Sequence, residues 1–154
     1  MAQHPQDFAR AIRPPLGDCG WAIGGSTLLA EAGLALQPRD LDLVCSEAAF
    51  PAAYRALAAR ARDITPAPHP RFATARFARF ETPDGLQIDL MAGLRIRSTD
   101  GIHDHPFRQD AIRWRGGLPW CPLRGWLDMY RQMGREERAR QIERLLADPA
   151  ARLI

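Results

Sequence analysis

The stretch "GWAIGGSTLLAEAGLALQPRDLDLV", Gly20–Val44, decides how this chain is read. An apolar run closes on Gly24-Gly25-Ser26, a helix-forming segment follows, and a second apolar run carries Asp40 and Asp42 one residue apart. Strands disfavour aspartate, and two like charges on one face repel. A strand alternates its faces with period two, so Asp40 and Asp42 share one face while Leu41 and Leu43 take the other. At ~3.3 Å per residue the two aspartates stand about 6–7 Å apart along the backbone.

A third acid occurs in the same setting. In "LQIDLMAG" Asp89 lies between Ile88 and Leu90, which would face the core, and it would share its own face with Gln87 and Met91. With the two strands side by side, three carboxylates meet on one face. Three bare carboxylates at that range are unfavourable, and hard divalent cations with oxygen ligands relieve the repulsion. Two such ions ~4 Å apart are a standard device of phosphoryl chemistry. The plainer alternative makes Asp40 and Asp42 edge charges paired with arginines. "IGGST" adds a strand-to-helix turn whose backbone N–H groups suit an anion, with Ser26 or Gly25 as the expected helix cap and Gly33 as the stop. It lacks the Lys of a phosphate-binding P-loop and the spacing of a dinucleotide fingerprint. On its own it reads better as a plain tight turn with Ser26 as N-cap.

Around this centre the chain predicts a first helix over 7–13 stopped by Pro14-Pro15, a strand at "CGWAIG" and another at "RDLDLVC". A helix follows from Ser46, then a proline-rich connection at "TPAPHP". "RFATARFARFET" reads as a strand, "PDG" as a turn, and "LQIDLMAG" as a fourth strand. "RSTDGIHDHPFRQ" reads as a loop, "AIRWRGGLPWCP" as a hairpin turning at Gly116-Gly117, and about 123–148 as two helices divided near Gly134. This is one α+β domain over 1–154, with a core at about 16–122.

The bulk numbers agree with one globular domain. The 154 residues are 46% hydrophobic and 25% charged, enough for a proper core. The net charge of +3 is too mild to announce a nucleic-acid binder. All 21 basic residues other than histidine are arginine, so a phosphate clamp here is made of arginine forks or backbone N–H groups. Cys19, Cys45 and Cys121 form no paired motif and read as buried free thiols. "MAQHPQDFAR" lacks an export pattern, and no apolar run reaches the ~18 residues of a membrane span. A cytoplasmic protein without membrane insertion is expected.

Taken together, Gly24, Gly25 and Ser26, then Asp40-Leu41-Asp42, then Asp89 resemble the nucleotidyltransferase superfamily with the DNA polymerase beta fold. The 13 residues between Ser26 and Asp40 suit that family's helix and loop. "WAIGGSTLL" and "RDLDL" are similar to its small-molecule branch, the aminoglycoside and lincosamide enzymes, and to related toxin–antitoxin enzymes. The resemblance implies a palm-like mixed sheet flanked by helices, with a short C-terminal helical tail. It implies that Asp40, Asp42 and Asp89 hold two Mg²⁺ ions and that Asp89 also accepts the proton of the attacking hydroxyl. Gly24, Gly25 and Ser26 would bind the β- and γ-phosphates of a nucleoside triphosphate, ATP being the expected donor. Arg39, one residue before the acid pair, reads either as a phosphate contact or as a salt-bridge partner. Relatives often carry lysines in the tail; here Arg131 follows Tyr130, and Arg131 or Arg135 would substitute.

The implied activity is transfer of a nucleoside monophosphate to a hydroxyl of a small molecule, protein or RNA. The competing reading keeps the fold as a silent binding module, an antitoxin-like partner. Only ~60 residues follow Asp89, little for an acceptor domain of its own. An acceptor site shared with a second subunit, in a homodimer or with a partner protein, would account for that. "HDHPF" reads as a loop with local hydrogen bonds rather than a metal cluster. Arg71, Arg76 and Arg79 read as a solvated face, and Trp114, Trp120 and Trp126 as core.

Overall fold

The computed structural model describes residues 1–150. Its backbone is a seven-stranded mixed sheet in the order β3-β4-β5-β2-β1-β9-β8. The strands are β1 (Trp21–Gly24), β2 (Asp40–Cys45), β3 (Arg62–Asp63), β4 (Arg76–Glu81), β5 (Gln87–Ala92), β8 (Arg113–Arg115) and β9 (Leu118–Trp120). A separate ribbon pairs β6 (Leu94–Ser98) with β7 (Gly101–His105). The helices are α1 (Pro5–Leu16), α2 (Gly25–Glu31), α3 (Phe50–Ala58), α4 (Leu123–Gln132) and α5 (Glu136–Ala147), with a short 3₁₀ turn at Gln109–Ala111.

The alternation read in the sequence is realised at the centre. Leu41, Leu43, Ile88 and Leu90 are fully buried on one face of β2 and β5. At about 2 kcal/mol for each such side chain taken out of water, this face ties the sheet to α1 and α3. α1 brings Phe8, Ala9 and Ile12, and α3 brings Phe50, Ala53 and Leu57. β2 runs parallel to β5 and antiparallel to β1. The opposite face of this row carries the acids.

Several expectations need correction. α1 runs through Pro14 and Pro15 to Leu16 instead of stopping at Arg13. Both prolines sit in its last turn, where proline's fixed φ is already helical and the loss is confined to two N–H bonds. Gly17 closes the helix by donating to the Arg13 carbonyl at 2.8 Å. α2 starts at Gly25 with Gly24 as cap, and no side chain caps it. α3 begins at Phe50, because Ser46 caps a preceding turn through Ala49 N–H. The strand expected from Arg71 begins at Arg76, although Phe72 makes one isolated bridge to Ile96. "RSTDGIHDHPFRQ" contributes to a hairpin rather than a loop, with Leu94 opposite His105 and Ser98 opposite Gly101. Cys19 is exposed, while Cys45 and Cys121 are buried. Trp114 is exposed beneath the Arg13 guanidinium, whereas Trp120 and Trp126 are core.

The hairpin of β8 and β9 turns at Gly116 and Gly117 as expected. Both have positive φ, 60° and 76°, as a two-residue turn of the favoured hand requires. Gly134, at φ 73°, separates α4 from α5. No helix among the described residues is long and apolar enough to cross a membrane.

Candidate active site

One row of residues crosses four strands. Gly24 of β1 lies opposite Asp42 of β2, Asp42 opposite Asp89 of β5, and Asp89 opposite Arg79 of β4. Residues in register on neighbouring strands project from the same face, with backbones ~4.8 Å apart. Two of the three expected acids are therefore adjacent. Asp40 sits two residues before Asp42 on the same face, opposite Gln87.

The double glycine is explained by two close approaches. A Cβ on Gly24 would lie 2.2 Å from the Trp126 ring, and one on Gly25 would lie 1.9 Å from Asp42 Oδ2. Gly25 also has φ +60°, which disfavours a side chain. The turn therefore presses bare backbone against the Asp42 carboxylate. Thr27, fully buried in α2, donates its hydroxyl to the Asp40 carbonyl at 2.9 Å and fixes the helix to the start of β2. Ser26 is half-buried in the first turn of α2.

The C-terminal helices close the site from above. Trp126 of α4 covers Gly24 and meets Tyr130 at 5.8 Å between ring centroids. The Arg135 guanidinium, in the turn between α4 and α5, lies 5.1 Å over the Tyr130 ring. This brings Arg135 within electrostatic reach of Asp42, where it favours the ionised carboxylate. Arg131, the tail residue expected at the phosphates, points elsewhere: it pairs with Glu143 and, at 3.8 Å, with Asp128. Arg39 is exposed and acts on Asp40, whose ionised form it favours.

Electrostatics mark Asp42 as the odd member. Burial of its carboxyl group, followed by repulsion from Asp89 and Asp40, pushes its pKa up to about 7; Arg79 and Arg135 oppose the rise. Asp40 is raised as well, first by desolvation of its carboxyl end and then by Asp89, with Arg79 and Arg39 opposing. Burial and the nearby Asp42 also push Tyr130 up to about 12. Asp89 is held differently. Arg79 grips it as a fork, Nε to Oδ1 at 2.7 Å and Nη2 to Oδ2 at 3.0 Å.

Asp40 and Asp42 thus form a pair of carboxylates with no ion-pair partner among the described residues, and oxygen donors of this kind suit Mg²⁺. The glycine turn itself sets no side chain against Asp42. Yet among the described residues no group of three His, Cys, Asp or Glu side chains is arranged to hold a metal ion. The pair fits a cation; the expected third ligand is engaged by Arg79.

Of the two tail arginines offered for the phosphates, Arg135 is the one near the acids. Arg79, read as part of a solvated face, is instead turned onto Asp89, and Trp126, read as core, also covers Gly24. Arg79 was legible in principle: Ala78 and Phe80 are core residues, so Arg79 had to share the face of Phe77 and Glu81, beside the acids. The sequence did not decide between Arg131 and Arg135, nor place Trp126 over Gly24, since both depend on how α4 docks. Ser98, Asp100 and His103 meet at the β6–β7 turn, but both partners contact the same His103 nitrogen, Nε2. That is a local turn network, not a catalytic relay.

No protein-family model matches the sequence, and no curated protein matches it. The likeness is structural. A Thermotoga maritima protein, itself assigned as a nucleotidyltransferase only provisionally, matches over 94% of this chain and 96% of its own at 20% identity, with a TM-score of 0.66. The chain therefore has an α+β fold of the nucleotidyltransferase type. Two Helicobacter pylori structures match more loosely: JHP933, at 16% identity and TM-score 0.43, and a protein with the same provisional assignment, at 16% and 0.41. Each match covers 80% of this chain, which spans about half of either Helicobacter protein (53% and 54%).

Proposed function

We propose that this protein is a Mg²⁺-dependent nucleotidyltransferase of the polymerase-beta-like superfamily. It would move a nucleoside monophosphate from a nucleoside triphosphate, ATP in the first instance, to an acceptor hydroxyl. The observation that carries this is the Gly24–Asp42–Asp89 row, with the Gly25 backbone pressed on Asp42 and Asp40 two residues away on the same face.

Asp40 and Asp42 would hold the ions, and Asp89 would complete the site. The ions would neutralise the triphosphate and the charge that develops as pyrophosphate leaves. The remaining work falls to the chain. The N–H groups of Gly25 and Ser26 would take the β- and γ-phosphates, with no side chain at Gly25 to keep them away. Arg135, which acts on Asp42, and Arg39, which acts on Asp40, would orient the phosphates. The acceptor oxygen attacks the α-phosphorus, its proton passes to Asp89, and the bond from the α-phosphorus to the pyrophosphate oxygen breaks. Trp126 and Tyr130 would keep water from the Asp42 side.

Calorimetric titration with Mg²⁺ and each nucleoside triphosphate, with Asp42→Ala as control, tests this reading. Metal-dependent binding that the variant loses is the expected result; no such binding in the wild type refutes it. Transfer of label from an α-labelled triphosphate in a lysate would name the acceptor.

The Arg79 fork on Asp89 favours a second reading, a catalytically silent binding module of the antitoxin kind. A stoichiometric protein partner together with no label transfer from any triphosphate would select it.

A further inference from the structure

We propose that Arg79 is a resident cation of the acid centre: it occupies Asp89 in the metal-free protein, and a divalent ion gains Asp89 by displacing it. The inference rests on the metal-dependent reading above. Its basis is an asymmetry among three carboxylates on one face. Asp89 has both oxygens taken by one guanidinium, at 2.7 and 3.0 Å, while Asp40 and Asp42 have no such partner. The pairing belongs to the fold's register, since Arg79 and Asp89 are cross-strand partners on β4 and β5.

The geometry also provides for release. The backbone of Arg79 is fixed on both sides: its N–H donates to Thr65 Oγ1 at 2.9 Å, and its carbonyl accepts from Ile64 N–H at 2.7 Å. Only the side chain needs to move. It is 32% exposed against 12% for the Asp89 side chain, so the guanidinium lies on the solvent side of the pair. Its carbon sits 5.5 Å over the ring of Phe77, itself 38% exposed. That ring gives the displaced guanidinium a face to rest on at the edge of the site.

Arginine suits this role better than lysine. A fork holds the carboxylate in one orientation through two bonds, whereas a single ammonium would not. Arg79 is then a positioning residue that holds Asp89 aimed until an ion takes its place. Ions should enter in two unequal steps. The first uses Asp40 and Asp42 and leaves the fork intact; the second requires the fork to open.

Two measurements on the metal-free protein, without nucleotide, test this. Mn²⁺ titration followed by electron paramagnetic resonance should give one tighter and one weaker ion for the wild type. Arg79→Gln should tighten the weaker step about tenfold, the scale of a lost charge-assisted pair. Arg79→Lys should fall between, and adding Asp89→Asn to Arg79→Gln should remove the gain. Independently of any variant, the Arg79 Nε–H resonance of ¹⁵N-labelled wild type should leave its hydrogen-bonded position on saturation with Mg²⁺. An unmoved resonance, or equal Mn²⁺ affinities in wild type and Arg79→Gln, overturns this proposal alone. No ion binding by either protein overturns it together with the metal-dependent reading.

Discussion

Asp42→Asn should stabilise the protein at alkaline pH and leave it nearly unchanged at acid pH. The Asp42 carboxyl rises from the ordinary 3.8 to about 7 on folding, chiefly through burial. A carboxyl held above its unfolded value binds its proton more tightly in the native state. Its contribution is therefore fully present below about pH 3.8 and is lost progressively as pH climbs through about 7. At about 1.4 kcal/mol per pH unit, the cost of ionising it in place reaches roughly 4 kcal/mol as a ceiling. Only the share of that cost that falls between pH 5 and pH 8.5 is read in the assay, about 2–3 kcal/mol by the same linkage. Asparagine has nearly the same shape and carries no charge. Urea unfolding in chelator, followed by fluorescence of the buried Trp21, Trp120 and Trp126, gives the variant-minus-wild-type difference at pH 5 and pH 8.5. Titrating groups far from Asp42 cancel in that difference. It should grow by about 2–3 kcal/mol in favour of the variant from the lower pH to the higher. A difference that is constant with pH, or that shrinks, refutes the burial argument for Asp42.

The close approaches make their own predictions. Gly25→Ala sets a Cβ 1.9 Å from Asp42 Oδ2 at φ +60°, and should cost about 2–4 kcal/mol by thermal unfolding and abolish stabilisation by Mg²⁺. Mg²⁺ itself should raise the Tm of the wild type at pH 8.5 and not that of Asp42→Asn, which scanning calorimetry reads directly. Arg135→Gln should weaken triphosphate binding about tenfold in calorimetry, the scale of one charge-assisted contact. Arg131→Gln should leave that affinity within about twofold, because its guanidinium is spent on Glu143 and Asp128.

How much of this was legible depended on where the cause lay. Asp40, Asp42 and Asp89 were readable because a strand face is decided by period two, and the flanking leucines and isoleucine name the buried side. The register that sets Asp42 against Asp89 was not readable. Parallel pairing is fixed by how the intervening helix and strands cross over, and no local turn declares it. The β6–β7 ribbon escaped for a related reason. Its core-facing apolar residues are only Leu94 and Ile96, and β7 offers no buried residue to mark its inner face. The N-cap assignment failed at Ser26 because the close contact between Gly25 and Asp42 sets the start of α2, so the usual side-chain cap is not made.

The same contrast separates the arginines. Arg131 was chosen by its neighbour in sequence, Tyr130, yet successive helix residues point about 100° apart. Tyr130 turns inward to Trp126, so Arg131 must turn away, toward the acids of its own surface. Arg135 recovers the lost position because Gly134, at φ 73°, reverses the chain and returns the next side chain over the Tyr130 ring. Arg79 reaches the site from the opposite edge by strand register alone. The acid row is thus bracketed by one guanidinium delivered through helix docking and one delivered through sheet pairing. The second meets its carboxylate directly, while the first reaches Asp42 only across Tyr130. That difference makes Arg135 the arginine free to take a phosphate and Arg79 the one that must first let go of Asp89.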